Sequence, residues 1–171
     1  MRAAGRILTV LALFALVSAS PGAERTAYGG VDAASAAVSG PGEWVDFTLS
    51  DAGGKTISLG QFIGRKPVLL IFWATWCPHC KESVPDINRM HREPADNGNV
   101  QILALDFMET PAKVSSFLSA KKVVFPVLLD RIGTVARMYR VVGIPTYILI
   151  DRKGKVVYRG HDTPNVRKHL E

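Results

Sequence analysis

Apolar and polar positions divide the chain into short, alternating elements from residue 44 onward. Trp44 to Leu49 alternates apolar with polar residues and predicts a strand. Asp51-Ala52-Gly53-Gly54 supplies a turn, and a second short strand follows near Thr56. Leu59 to Ile63 fits one helical turn. Pro67 to Trp73 is an unbroken apolar run of strand length, as expected of a strand buried on both faces. A helix is predicted from about Cys77 to His91, with a kink at Pro85. Val100 to Asp106 predicts another buried strand. Pro111 to Ala120 predicts a helix that opens on Pro behind Thr110 as N-cap. Pro126 to Leu129 reads as a strand and Ile132 to Tyr139 as a helix. Thr146 to Asp151 and Lys155 to Tyr158 read as two strands joined at Arg152-Lys153-Gly154, and a short helix follows Thr163.

Strands that alternate with helices predict an α/β domain, with a central sheet flanked by helices. The last two strands leave no room for a crossover and must pair antiparallel, so the sheet is mixed.

The first twenty residues follow a different pattern. Met1 to Arg6 is short and basic, Ile7 to Val17 is apolar except for Thr9, and Ser18-Ala19-Ser20 is small. This is the layout of a secretory signal, with Ala19 a suitable cleavage site. The apolar run is short against the roughly 20 residues that a bilayer-spanning helix needs. An uncleaved anchor is the alternative, and it is the one case in which the membrane is a partner. No Cys follows the run to carry a lipid. Residues 21–42, rich in Ala, Gly and Ser, read as a flexible linker. The organisation expected is a signal or anchor over 1–20, a linker over 21–42 and a folded domain over 43–171. The domain is expected in the periplasm or secreted.

Composition changes this picture little. Of 171 residues, 47% are hydrophobic and 21% charged, which is ordinary for a globular core. The net charge of +6 includes Arg2 and Arg6 and is spread without a dense basic run, so a nucleic-acid partner is not expected.

The chemistry concentrates at Cys77-Pro78-His79-Cys80, which contains the only two cysteines. A bridge across three residues closes a tiny loop and adds little stability, which favours reactivity over scaffolding. The motif leaves a buried strand and opens a helix. Cys77 therefore sits where free N–H groups and the macrodipole stabilise a thiolate, and Cys80 lies about one turn on. Pro78 suits the first helical turn, and Trp76 covers the site. The chemistry expected is thiol exchange, with Cys77 attacking and Cys80 resolving. Zinc is disfavoured because tetrahedral sites want four ligands. A protonated His79 between the sulfurs would lower the Cys77 pKa and make the disulfide more oxidising; the plainer reading leaves it facing solvent. His91, His161 and His169 are expected to be solvated. Asp106, Asp130 and Asp151, at strand ends, are expected to be solvated or to cap turns.

Trp76-Cys77-Pro78-His79-Cys80, followed far downstream by Gly143-Ile144-Pro145-Thr146, resembles the thioredoxin superfamily. The resemblance implies a thioredoxin-like fold and a redox-active Cys77–Cys80 disulfide. It also implies a cis Pro145 beside the sulfurs and an Ile144 backbone that pairs with a substrate peptide. Phe47 to Lys55, Phe72 to Cys77, Phe125 to Asp130 and Ile150 to Lys155 extend the likeness to the exported TlpA/ResA-like branch, over roughly Trp44 to Gly160. The branch carries an N-terminal β extension and a central strand–helix insert, consistent with the 64 residues between Cys80 and Pro145. It implies protein thiols or disulfides as substrates, no cofactor and no metal. For a reductant it also implies a membrane thiol-transfer partner and a role in cytochrome c maturation.

Two positions depart from the pattern. The branch's acidic residue three positions after the second Cys is Ser83 here, with Glu82 one residue early. Thioredoxin's buried Asp in the preceding strand is Ile71 here. No proton acceptor for Cys80 is therefore assigned, and these gaps together with His79 count against a pure reductant. A competing class is a copper-binding assembly module on the same fold. Its usual Cys-x-x-x-Cys spacing is one residue longer, and His161 is a poor third ligand. A peroxide-reducing relative would place Thr or Ser where Ala74 stands.

Overall fold

A run of six fully buried residues, Val68–Trp73, forms the strand around which the rest of the molecule is arranged. The computed structural model describes residues 43–94 and 99–171. The signal or anchor and the linker expected over 1–42 lie outside them. No helix of the described residues is long and apolar enough to cross a membrane.

In chain order, β1 (Thr48–Ser50) and β2 (Thr56–Ser58) form an antiparallel hairpin. A single 3-10 turn, Leu59–Gln61, leads to β3 (Val68–Trp73) and then α1 (Pro78–Arg92). Next come β4 (Gln101–Phe107), α2 (Pro111–Ala120), β5 (Val127–Asp130) and α3 (Thr134–Met138). The chain closes with β6 (Thr146–Ile150), β7 (Val156–Gly160) and α4 (Val166–Leu170). The main sheet has the order β5-β4-β3-β6-β7. β3, β4 and β5 are parallel, whereas β6 and β7 pair antiparallel, so the sheet is mixed as expected. Two strand–helix units, β4–α2 and β5–α3, lie between Cys80 and Pro145.

Alternate residues of β3 face opposite layers. Leu69, Ile71 and Trp73 join Val84 and Ile87 of α1, Val114 of α2 and Val166 of α4. Val68, Leu70 and Phe72 join Val135 and Ala136 of α3 and the N-terminal residues Val45, Phe47 and Leu59. Every residue of β3 is therefore covered, which is why it reads as continuous rather than alternating.

Two local expectations shift. The strand expected from Trp44 enters a ladder only at Thr48, because its first residues are held by Tyr139 instead. The Tyr139 hydroxyl donates to the Val45 carbonyl (2.7 Å) and accepts the Val45 N–H (3.1 Å). Burial pushes the Tyr139 phenol pKa up, so it stays a donor. The helix expected from Ile132 starts at Thr134, because Gly133 takes a left-handed φ of 69° with the Phe107 ring 2.9 Å from where a Cβ would stand. Pro85 falls inside α1, as the sequence places it, and is exposed.

The N-terminal segment also reaches both edges of the sheet. Glu43 bridges Lys155 just before β7, and Asp51 bridges Leu128 on β5, both antiparallel. The turn between β1 and β2 is tied by Asp51 Oδ1, which accepts from the N–H groups of Gly53 (2.8 Å) and Lys55 (2.9 Å).

Tyr139→Phe leaves the buried Val45 N–H and carbonyl without a partner. It is expected to lower stability by about 1–3 kcal/mol in urea unfolding, with the m-value unchanged.

Candidate active site

The cysteine pair sits where β3 hands over to α1. Cys77 is the N-cap residue of α1, in extended conformation (φ −77°, ψ 118°), and its sulfur accepts the Cys80 N–H at 3.3 Å. Pro78 occupies the first helical position, which has no use for an N–H. Cys77 and Cys80 form a disulfide with their Cα atoms 5.3 Å apart, and both are buried. The thioredoxin-like expectation for Ile144-Pro145 agrees with the geometry. The peptide bond is cis, and Cys77 Sγ lies 3.8 Å from the Ile144 carbonyl oxygen. Trp76, more than half exposed, stands beside the pair. Beneath Cys80 is a small apolar cavity of about 10 Å³, lined by Ile71, Trp73, Ala104, Pro145 and Tyr147 among others.

His79 faces solvent. Its Nδ1 is 3.1 Å from Glu82 Oε2, and both side chains are largely exposed. The Ser83 hydroxyl donates to the His79 carbonyl (3.0 Å) and is no substitute for a carboxylate. Among the described residues no group of three or more His, Cys, Asp or Glu could hold a metal ion.

Behind the motif lies a feature that the sequence did not reveal. Glu109, just past β4, is nearly buried and grips the loop that carries Cys77. Its Oε2 accepts the Thr75 N–H (2.6 Å), and its Oε1 accepts the Thr75 hydroxyl (2.8 Å) and pairs with Lys113. Burial alone would raise the Glu109 pKa. The hydrogen bonds from Lys113 and from the Thr75 amide and hydroxyl outweigh it and hold the carboxyl below its ordinary value.

Asp106 overturns the expectation of a solvated or turn-capping side chain. It is completely buried, and its oxygens make no hydrogen bond of good geometry. Its pKa is pushed up to about 8, chiefly by burial and further by the neighbouring Glu109 carboxylate, with Lys113 opposing. Asp130 and Asp151 behave more nearly as expected. Asp130, although buried, accepts the Ala136 N–H of α3 (2.8 Å), and Asp151 accepts the Lys153 and Lys155 N–H groups of the β6–β7 turn.

Two further contacts were missed. Asn88 of α1 locks the loop after α2, donating to the Lys122 carbonyl (3.0 Å) and accepting the Val124 N–H (2.9 Å). His161 is exposed but not merely solvated, since its Nδ1 lies 2.7 Å from the Pro145 carbonyl and so braces the cis-proline loop. His169 packs on the Tyr158 ring.

A disulfide at a helix N-cap, facing a cis proline at the C-terminal end of parallel strands, defines a thioredoxin-like redox site. The chain belongs to the AhpC/TSA family, which residues 42–159 match. Within that family it is ResA-like. It is 39% identical over 112 residues to the thiol-disulfide oxidoreductase ResA of Bacillus thuringiensis subsp. konkukian, covering 66% of this chain and 64% of the relative. The chain thus spans less than two thirds of that relative's length. It is 36% identical over 132 residues to ResA of Bacillus subtilis, covering 77% of this chain and 73% of the relative. Among solved structures, a putative thiol:disulfide interchange protein DsbE from Chlorobium tepidum superposes with a TM-score of 0.62 at 34% identity. That match covers 68% of this chain and 81% of the other.

The raised Asp106 pKa sets a pH dependence of stability. Between the ordinary carboxylate value of 3.8 and about 8, the folded protein keeps a proton that the unfolded chain releases. Stability therefore declines with rising pH across this window, by up to about 1.4 kcal/mol per pH unit, and levels off above it. Asp106→Asn is expected to flatten that decline, which chemical denaturation at a series of pH values measures.

Proposed function

We propose that the protein is an extracytoplasmic thiol–disulfide oxidoreductase that exchanges the Cys77–Cys80 disulfide or dithiol with protein substrates. The observation that carries this reading is the placement of Cys77. It caps α1, bonded to Cys80 and 3.8 Å from the Ile144 carbonyl beside cis Pro145.

The mechanism follows from that placement. In the reduced protein Cys77 lies at the positive end of the α1 dipole, which favours its thiolate. The thiolate attacks a substrate disulfide in line, forming a mixed disulfide on Cys77 and releasing one substrate thiolate. Cys80, about one turn into the helix, then attacks Cys77 Sγ, closes the Cys77–Cys80 bond and expels the second substrate thiolate. The reverse sequence oxidises a substrate dithiol. Ile144, ahead of the proline, offers its backbone to an extended substrate segment, and exposed Trp76 gives that segment an apolar wall.

The N-terminal basic, apolar and small segments support export and hence an extracytoplasmic site of action. The reduction potential decides the direction of use. A value near about −270 mV or below makes the protein a reductant, fed by a membrane thiol-transfer protein and suited to cytochrome c maturation. A value near about −120 mV makes it an oxidant of client thiols.

The direct test replaces the resolving thiol. Cys80→Ser is expected to accumulate mixed disulfides that dithiothreitol releases, whereas Cys77→Ser forms none and loses at least about a thousandfold in disulfide reduction. Equal trapping by both variants would refute the assignment of Cys77 as the attacking thiol. His79 faces solvent beside Glu82, so its influence on the sulfurs is small. His79→Gln is expected to lower the potential by no more than about 30 mV, and Glu82→Gln to raise it by a similar amount only while His79 is present. Equilibration of the three proteins with glutathione buffers checks this.

A further inference from the structure

We propose that Asp106 is a positioning residue for thiol–disulfide exchange. Its buried carboxyl, in ladder register with Trp73 and linked through Glu109 to the loop that carries Cys77, exchanges a proton in step with the redox state of the Cys77–Cys80 pair. This rests on the exchange reading above.

Asp106 lies opposite Trp73 on β3 and Leu129 on β5. Two residues before it, Ala104 lines the cavity beneath Cys80. Positions i and i+2 of a strand share a face about 6–7 Å apart, so the carboxyl is one side-chain step along the same face from the cavity wall. Trp73, Ala104, Leu129 and both cysteines belong to one core layer. Among the described residues, three polar side chains on this face make no hydrogen bond of good geometry: the Trp73 indole N–H, the Asp106 carboxyl and the Tyr147 hydroxyl, on three adjacent strands. Buried polar groups without partners are uncommon, and a carboxyl tolerates such a place only as the neutral acid. Consistent with this, burial and Glu109 push its pKa up to about 8.

Two charged groups act on Asp106. The loop after β4 gives Glu109, and α2 gives Lys113. Tyr147 of β6, Cys80, Val84 and Ile87 of α1 and Leu129 of β5 belong to the core layer on the same face. Glu109 keeps its charge by bonding Thr75 and Lys113, so Asp106 is the member of the pair that holds the proton.

Reduction by a protein dithiol breaks the Cys77–Cys80 bond and forms a disulfide in the partner. Two electrons pass to the pair. Of the two thiol protons, one goes to Cys80, and the other is shared among Cys77, Asp106 and solvent. With Asp106 neutral a Cys77 thiolate meets no like charge from it, whereas ionised Asp106 disfavours the thiolate. Titrations of the sulfurs and of Asp106 are thus linked.

The test follows the midpoint potential of full-length protein against pH, from about pH 6 to pH 9, for wild type and Asp106→Asn. The wild-type plot is expected to change slope around the Asp106 titration, and the variant to lose that inflection. The Cys77 thiolate titration, followed by ultraviolet absorbance, is expected to become a single step shifted to lower pH. A purely structural role would displace the two plots by a constant, and parallel plots overturn the proposal. If Asp106→Asn fails to fold, carboxyl-carbon NMR of the wild type decides. The Asp106 midpoint is expected to rise on reduction, and identical midpoints in the two redox states overturn the proposal. If the wild-type pair does not interconvert reversibly, the exchange reading itself fails and this proposal with it, an outcome distinct from parallel plots.

Discussion

The hold of Glu109 on Thr75 is the constraint on which the site depends. A chain leaving the C-terminal end of β3 must turn over the sheet edge before it can start α1, and the turn exposes amide groups that strand and helix do not pair. Glu109 takes the Thr75 amide and hydroxyl together, from a rigid position at the end of the neighbouring strand. With that loop fixed, Cys77 falls at the helix start and meets the cis-proline loop, itself braced by His161 from beyond β7. Three separate stretches of chain thus meet at two sulfur atoms.

The fold was legible because its signals are local. Pro67 to Trp73 is too apolar to be anything but buried, and Thr110-Pro111 announces a helix start that the structure realises with the Thr110 hydroxyl accepting the Lys113 N–H. The Cys77-Pro78-His79-Cys80 spacing marks the redox pair in the same way. Glu109 and Asp106 were illegible because their roles depend on sheet order. Only when β4 takes the place beside β3, in register Trp73 to Asp106, do a strand-end aspartate and a loop glutamate arrive behind the motif. A search for a carboxylate in β3 or on α1 looks one strand away from where it stands.

His79 shows the converse. Its place between the cysteines suggests intimacy with the sulfurs, yet at the start of a helix the two middle residues of the motif turn outward. The imidazole meets Glu82 in solvent. Sequence adjacency overstated its contact, just as sequence distance concealed that of Glu109.

The N-terminal segment has a consequence beyond anchoring Val45. A twisted five-stranded sheet has two open rims, and each rim offers unpaired amides to any passing extended chain. Here the bridge from Asp51 to Leu128 occupies one rim and the bridge from Glu43 to Lys155 guards the approach to the other. At those two positions the sheet edge is already paired, which keeps other extended segments, or copies of the chain itself, from adding there as stray strands.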